Sequence, residues 1–387
     1  MARIAIDATP LSIHGKGLSR FIGSLIHALS LYADHHTFTL FIDDRLAPSN
    51  LPSSPRFTYI RITFSSSLKW DIVQLSVLLR RYPVDLLFSC SDRLPIFYNG
   101  SMQLYLFELP HVRHQLHLSQ PNTRPSTYAR ISMKITEVIF PWSIRRARHI
   151  FASSIATKHA LLDTYALSLD KIDVIYPGLD DVFSPLENSV RKQEMRVHFG
   201  APKGYILHFS SQSDPRDNTE VALRAFHVSQ QLHAHDIKLV IAGKTNPDKQ
   251  KLSPVVEELG LFDQVIWAGF IPEKDLVDVY RSAELYFDPS LYEGFGYQVL
   301  EAMACGTPVV CSNVTSLPEI VGTAALISPP MDIYSFAEHI AHVITSAEVA
   351  TKMRADGIAL AQRFSWHKTV TQLMEAYDRA LASRDSH

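Results

Sequence analysis

At 387 residues the chain has room for two or three domains of roughly 150 residues each, so a miniprotein that depends on disulfides is excluded. Hydrophobic residues make up 46% and charged residues 20%, which leaves no place for long disorder or a fibrous repeat. Thirty-seven Lys and Arg against 39 Asp and Glu give a net charge of -2, without the global basic field that drives nucleic-acid binding. Three cysteines (Cys90, Cys305, Cys311), with no CxxC spacing, point to neither a disulfide framework nor a zinc site. No stretch approaches the roughly 18 uninterrupted apolar residues of a membrane span, and Asp7 breaks the opening segment before a signal-peptide core forms. A cytoplasmic protein is expected.

In chain order, Arg3–Asp7 reads as a buried strand, Gly15-Lys16-Gly17 as a Gly loop and Leu18–Leu31 as an amphipathic helix. Strand patterns follow at Phe38–Ile42, Tyr59–Ile62, Asp85–Phe88, Gln103–Phe107 and His149–Ala152, with helical patterns between several of them. Pro177-Gly178 and the polar stretch from Asp180 to Ser189 interrupt the periodicity and mark a linker. The alternation then resumes with strand Tyr205–Phe209, a helix from Glu220, strand Lys238–Ala242, a helix near Leu252–Leu259 and strand Val265–Trp267. Helix Glu273–Ala283, strand Leu285–Phe287, a helix beginning near Phe295 and strand Pro308–Cys311 complete the series. The pattern predicts an α/β protein of two Rossmann-like doubly wound domains facing a cleft, with ligands at the carboxyl ends of the strands. From Phe364 the tail is helical again (Thr369–Leu381), with Val370, Leu373, Met374 and Tyr377 on one face. This helix either crosses to the first half or caps its own. The expected boundaries are therefore 1–180, 181–363 and 364–387.

The segment from Pro289 to Pro308 carries the most chemistry. It reads as a strand end, a Gly-rich turn at Glu293-Gly294-Phe295-Gly296-Tyr297, a helix bearing Glu301, and a stop at Gly306. Gly294 and Gly296 let backbone approach a ligand, and a helix start offers N–H groups suited to phosphate. Glu293 and Glu301, with seven residues between them, can each accept paired hydrogen bonds from vicinal hydroxyls. The bland reading makes the glycines a tight turn and Glu301 a solvated or capping residue.

Two further features stand out. His111, His114 and His117 recur every third residue, but no acid or Cys falls within the run, and polar surface histidines are expected rather than a metal site. From Arg124 to Arg148 six basic residues face a single acid, Glu137, with Phe140-Pro141-Trp142 among them. Such a surface suits peripheral contact with an anionic membrane; Ile131, Ile135 and Ile139 at helical spacing read as core and favour a merely solvated face.

The string Glu-Gly-Phe-Gly followed by Glu-Ala-Met-Ala-Cys-Gly-Thr-Pro-Val-Val resembles the donor-site signature of the retaining glycosyltransferases of family four, which have the GT-B fold. Ser316-Leu317-Pro318-Glu319, Arg363-Phe364-Ser365-Trp366 and Ile175-Tyr176-Pro177-Gly178-Leu179-Asp180 are similar to other stretches of that family, and Gly15-Lys16-Gly17 to its N-terminal Gly loop. The resemblance implies that Glu293 binds donor-sugar hydroxyls, that Glu301 binds the nucleotide ribose, and that backbone from Gly294 through Phe295 and Gly296 to Tyr297 faces sugar and diphosphate. It implies a base-binding loop at Gly269-Phe270-Ile271 and places Gly15 and Gly17 near the donor. Where the family often has a His after a strand of its first domain, this chain offers Glu108 or His111. The family's usual Arg and Lys after the first strand of the second domain are replaced by Ser211 and Asp217, which leaves Arg216 as the nearby cation, with Lys16 and Lys244 as substitutes.

The activity so implied is retaining transfer of a hexosyl unit from a nucleotide-diphosphate sugar to a glycan or lipid-linked saccharide acceptor. The transition state is oxocarbenium-like, and the acceptor attacks from the face the diphosphate leaves. No cofactor is expected, the nucleotide sugar being the donor substrate. No metal is expected either, because no Asp-x-Asp pair lies in a Gly-rich or strand-end context. The alternatives are a catalytically weak nucleotide-sugar-binding subunit of a glycan-assembly complex and a nucleotide-sugar epimerase of the same architecture.

Overall fold

A computed structural model describes all residues except 13–16, 48–50, 64–66, 113–126, 186–187, 212–213, 245, 247, 249–250 and 383–387. The described residues divide into two compact units. Those of Met1–His114, Arg124–Asp180 and Phe364–His387 form unit 1, and those of Asp181–Arg363 belong to unit 2.

Unit 1 is built on seven parallel strands: β1 (Arg3–Asp7), β2 (Thr37–Asp43), β3 (Phe57–Ile62), β4 (Leu86–Ser89), β5 (Met102–Leu106), β6 (His149–Ala152) and β7 (Ile172–Val174). Their order is β3-β2-β1-β4-β5-β6-β7. Every residue of β4 and β5 is buried, as continuous apolar runs covered on both faces require. Its helices include α1 (Gly17–Tyr32), α2 (Leu75–Arg81), α3 (Thr127–Arg146) and α4 (Ile155–Tyr165). One face of the sheet is covered by α1 through Phe21, Ile22, Leu25 and Leu29. The other takes Leu75 and Leu79 of α2, Phe140 and Ile144 of α3 and Leu161 of α4.

Unit 2 repeats the winding. Helices α5 (Ser189–His198), α6 (Thr219–Leu232), α7 (Leu252–Glu258), α8 (Glu273–Ser282), α9 (Tyr297–Ala304), α10 (Leu317–Val321), α11 (Ile333–Thr345) and α12 (Ala347–Ala361) accompany six parallel strands. The strands are β8 (Tyr205–Phe209), β9 (Lys238–Ala242), β10 (Val265–Gly269), β11 (Leu285–Asp288), β12 (Val309–Ser312) and β13 (Leu326–Ser328), in the order β10-β9-β8-β11-β12-β13. Chain order reverses between β8 and β11, which makes their carboxyl ends a switch point.

The last helix, α13 (Trp366–Ala382), packs in unit 1, adding Trp366, Val370, Leu373, Met374 and Tyr377 to the core around Ile4, Phe21 and Leu25. Trp366 donates through Nε1 to Asp180 (2.7 Å), and Thr369 Oγ1 to the carbonyl of Tyr176 (2.8 Å). Gly178 lies so close that a Cβ there would sit 2.5 Å from the Trp366 backbone nitrogen.

Candidate functional site

The loops that leave β8 and β11 are sewn together at the switch point of unit 2. The Leu291 amide donates to the Arg216 carbonyl (2.8 Å), and the Asn218 side-chain amide donates to the carbonyls of Pro289 and Pro330 (2.8 Å each). Behind them, buried His208 bridges the Phe287 carbonyl (3.1 Å) and Thr219 Oγ1 (3.1 Å), which also meets Ser210 Oγ at 2.7 Å. Burial lowers the His208 pKa, so the neutral ring holds both bonds.

The Gly-rich turn adopts the geometry its residues suggest. Gly296 has φ +93° and stands at the N-cap of α9; a Cβ there would lie 2.7 Å from Leu317 Cδ2. The helix therefore begins with no capping side chain, and its first N–H groups and dipole face the loop between β11 and α9. Thr315 and Ser316 hold Glu293 by its backbone. Its amide donates to Thr315 Oγ1 (3.0 Å), and its carbonyl accepts from Thr315 Oγ1 (2.6 Å) and Ser316 Oγ (2.9 Å). Ser312 Oγ likewise donates to the Ser290 carbonyl (2.6 Å). Glu293 itself is half-buried, whereas Gly294, Phe295 and Gly296 are buried. One turn into α9, Glu301 is 1% exposed, and its Oε2 accepts from the Tyr280 hydroxyl at 2.9 Å. Thr307 Oγ1 donates to the Tyr280 carbonyl (2.6 Å), which fixes that tyrosine.

The ends of β8, β9 and β10 come close enough to demand glycine. Gly243 has φ +108°, and a Cβ there would be 2.1 Å from the Ser210 carbonyl oxygen; its amide donates to the Gly269 carbonyl (2.7 Å). Gly269 turns at φ +69° into Phe270, which is 57% exposed, and Ile271. The Lys244 ammonium lies 5.7 Å from the centre of the Phe270 ring. Lys244, Gly269, Phe270 and Ile271 thus form one rim, an association that spacing alone does not reveal.

The loop after β8 changes the expectation for Arg216. Its guanidinium forks onto Asp214 (Nε to Oδ1 2.9 Å, Nη2 to Oδ2 2.6 Å), so its charge is already offset. Asp217 accepts from the Ser211 amide, and Asp214's amide donates to Ser211 Oγ (3.1 Å). Burial, with Asp214 and Asp288 nearby, pushes the Asp217 carboxyl up to about 7 despite the Ser211 bond. Neither Asp217 nor Asn218 caps α6 with its side chain. Asn218 takes φ +53° at the N-cap, and its amide serves Pro289 and Pro330 instead.

The remaining candidates belong to unit 1. Gly17 opens α1; Gly15, Lys16, His114 and His117 lie outside the described residues. Glu108 follows the end of β5, and His111 Nδ1 meets the Tyr165 hydroxyl at 3.3 Å. His111 and Tyr165 line a pocket with Pro110, Glu137, Phe140, Pro141 and Thr164. At this unit's own switch point, Asp7 accepts from Thr9 Oγ1 (2.8 Å) and Trp70 Nε1 (2.9 Å). Beside it, in a π-helical turn at Trp70–Gln74, Asp71 is held by Arg93 (Nε 2.8 Å), which also donates to Thr136 Oγ1 (2.6 Å). Burial outweighs the Arg93 charge and pushes Asp71 up to about 7. This cluster escapes sequence reading because its members are scattered from Asp7 to Thr136 with no motif. Among the described residues His35, His36 and Asp378 are close enough to share a metal ion. The Ala2 amide, however, donates to His36 Nδ1 (3.2 Å), which leaves the ring proton on Nε2, the atom facing Asp378. That arrangement is a histidine–carboxylate pair.

Two family models match the chain, Glycosyltransferase Family 4 over residues 15–183 and Glycosyl transferases group 1 over residues 190–360. The chain belongs to the group 1 glycosyl transferases. It is 37% identical over 178 residues to O-antigen chain mannosyltransferase B of Escherichia coli; that match covers 45% of this chain and 46% of the relative, so the chain spans under half of the relative's length. Among solved structures, sucrose-phosphate synthase from Thermosynechococcus elongatus superposes over 99% of this chain and 100% of its own, with a TM-score of 0.76 at 20% identity. Anabaena Alr3699/HepE in complex with UDP-glucose gives a TM-score of 0.72 at 16% identity, covering 98% of this chain and 100% of that one. At these identities the structures establish the shared fold, which is GT-B.

Proposed function

We propose that the protein is a hexosyltransferase, moving a sugar from a nucleotide-diphosphate donor to a glycan or lipid-linked saccharide, with retention and without a metal. The observation that carries this is the pairing of Glu293 and Glu301 across an uncapped helix start at the unit 2 switch point. A diphosphate fits N–H groups that point out of α9, where the dipole offsets its charge. Flanking carboxylates accept hydroxyls, Glu293 from the sugar and Glu301 from the ribose, the latter oriented by Tyr280. The rim of Lys244, Gly269, Phe270 and Ile271 receives the base. The UDP-glucose held by Alr3699/HepE and the mannosyl chemistry of the O-antigen relative support a hexose nucleotide as donor.

Leaving-group stabilisation falls to the start of α9 and to Lys244, because Arg216 is engaged by Asp214. Asp217, with a pKa near 7, is about half neutral at neutral pH and repels the diphosphate less than an ordinary aspartate would. In unit 1, Gly15, Gly17, Glu108 and His111 remain the candidates for groups beside the donor sugar and acceptor. Transfer to a lipid-linked saccharide takes place at the inner face of a membrane, with the protein attached there peripherally.

The test is a panel of nucleoside diphosphates and nucleotide sugars screened for thermal stabilisation, followed by transfer assays with the donor that stabilises most. Stabilisation lost in Glu301→Ala is expected; a flat panel would remove the donor assignment. The offset charge of Arg216 also supports a second reading, a binding subunit with weak catalysis. Stabilisation by a donor without turnover by the isolated chain would select it.

A further inference from the structure

Helix α3 buries one face and leaves an apolar stripe on the other. Thr136, Phe140, Ser143 and Ile144 point inward, while Tyr128 (53%), Ile131 (50%), Val138 (76%) and Trp142 (37%) are exposed. At 100° per residue the four exposed side chains fall within about 80° of the helix circumference. Ile131 is therefore not the core residue its spacing predicts. Lys134 and Arg145 border the stripe on one side and Arg130 lies farther round, all three exposed. From Thr127 to Arg148 there are five basic residues (Arg130, Lys134, Arg145, Arg146, Arg148) and one acid, Glu137, in a chain whose net charge is -2. Lys171 adds a cation at the same end, its ammonium donating to the Arg145 carbonyl (2.6 Å).

We infer that this stripe is a docking face for an anionic lipid bilayer, with α3 lying in the headgroup region. Tyr128 and Trp142 have rings suited to a boundary that is apolar on one side and wet on the other, and Ile131 and Val138 reach toward the acyl chains. The flanking Lys and Arg answer the negative lipid headgroups. Among the described residues no helix is long and apolar enough to cross a membrane, so the contact is along the surface. A second copy of the chain fits less well, because a two-fold contact through this stripe would set the same basic residues against each other. The inference deepens the proposed transfer to a lipid-linked acceptor and rests on it for its purpose alone; the binding itself is independent of catalysis.

The purified full chain is mixed with vesicles of phosphatidylcholine, with or without phosphatidylglycerol, and co-sedimentation is followed as salt rises. Binding is expected to phosphatidylglycerol vesicles only, to weaken with salt, and to drop about fivefold for each basic residue neutralised in Lys134→Gln and Arg145→Gln. Val138→Asp and Ile131→Asp should abolish it while melting with the parent, since both positions are exposed. Transfer to a lipid-free acceptor by these variants should match the parent, so loss of vesicle binding and failure of the transfer reading are separate results. Absence of binding, equal binding to neutral vesicles, binding indifferent to the four variants, or a dimer abolished by Val138→Asp would each overturn the assignment.

Discussion

Glu293 and Glu301 look equivalent in sequence, yet the structure gives them different settings. Glu301 is buried and accepts a hydrogen bond from the Tyr280 hydroxyl; Glu293 is half-buried and held by its backbone. Charge-assisted hydrogen bonds are worth about 1.5–3 kcal/mol, or roughly ten- to a hundred-fold in binding or rate. Calorimetry on Glu301→Ala should show nucleotide affinity down by that factor, with Tyr280→Phe a milder copy. Glu293→Gln should keep nucleotide affinity and lose turnover. Unchanged constants in both glutamate variants would move the site elsewhere. The aspartate after β8 gives a pH signature. Between about pH 4 and pH 7 the unfolded chain has released the Asp217 proton and the folded chain has not, so this group makes stability fall as pH rises through that window. Asp217→Asn should flatten the dependence by on the order of 3 kcal/mol in urea melts from about pH 4.5 to about pH 8; an unaltered slope would show that the carboxyl titrates normally. The placement of the two glutamates about the Gly turn is legible in sequence because the turn and the helix that follows it are a local pattern. The fork between Arg216 and Asp214 is not, since any of several side chains in that polar loop was free to take the arginine.

Gly296 shows how an element's start depends on one residue. A side chain there meets both a positive φ and Leu317 Cδ2 at 2.7 Å, so any other residue would start α9 under strain. Gly296→Ala should cost on the order of 1–3 kcal/mol of stability and displace the first N–H groups, with nucleotide binding falling by more than tenfold. If thermal melts and diphosphate affinity both stay at parental values, the helix start is not the phosphate seat. Most strands could be placed from sequence, β1, β6, β8 and β9 to the residue, because fully buried parallel strands write themselves as short apolar runs between polar turns. The exceptions have physical causes. β7 and β13 are three residues each and lie at sheet edges, too short for a periodicity to show. The inner and outer faces of α3 both carry apolar residues, so hydrophobicity alone cannot tell Phe140, which is buried, from Val138, which is not.

For the molecule as a whole, the proposed reaction draws on a helix dipole and side-chain donors. Activity should accordingly survive exhaustive chelation with EDTA; loss of transfer restored by magnesium or manganese would call for a different donor geometry. The segmented make-up of unit 1 has a consequence during synthesis. Its core stays unfinished until Val370, Leu373, Met374 and Tyr377 have been added, whereas every residue of unit 2 from Asp181 to Arg363 is made before them. The later half in sequence is thus ready to fold first, against the usual order in which domains mature as they emerge from the ribosome. A chain that terminates at Arg363 should carry a nucleotide-binding, protease-resistant unit 2 beside a unit 1 that is digested quickly. Trypsin resistance of both halves in that truncated product would show that the nascent unit 1 needs no help from the final helix.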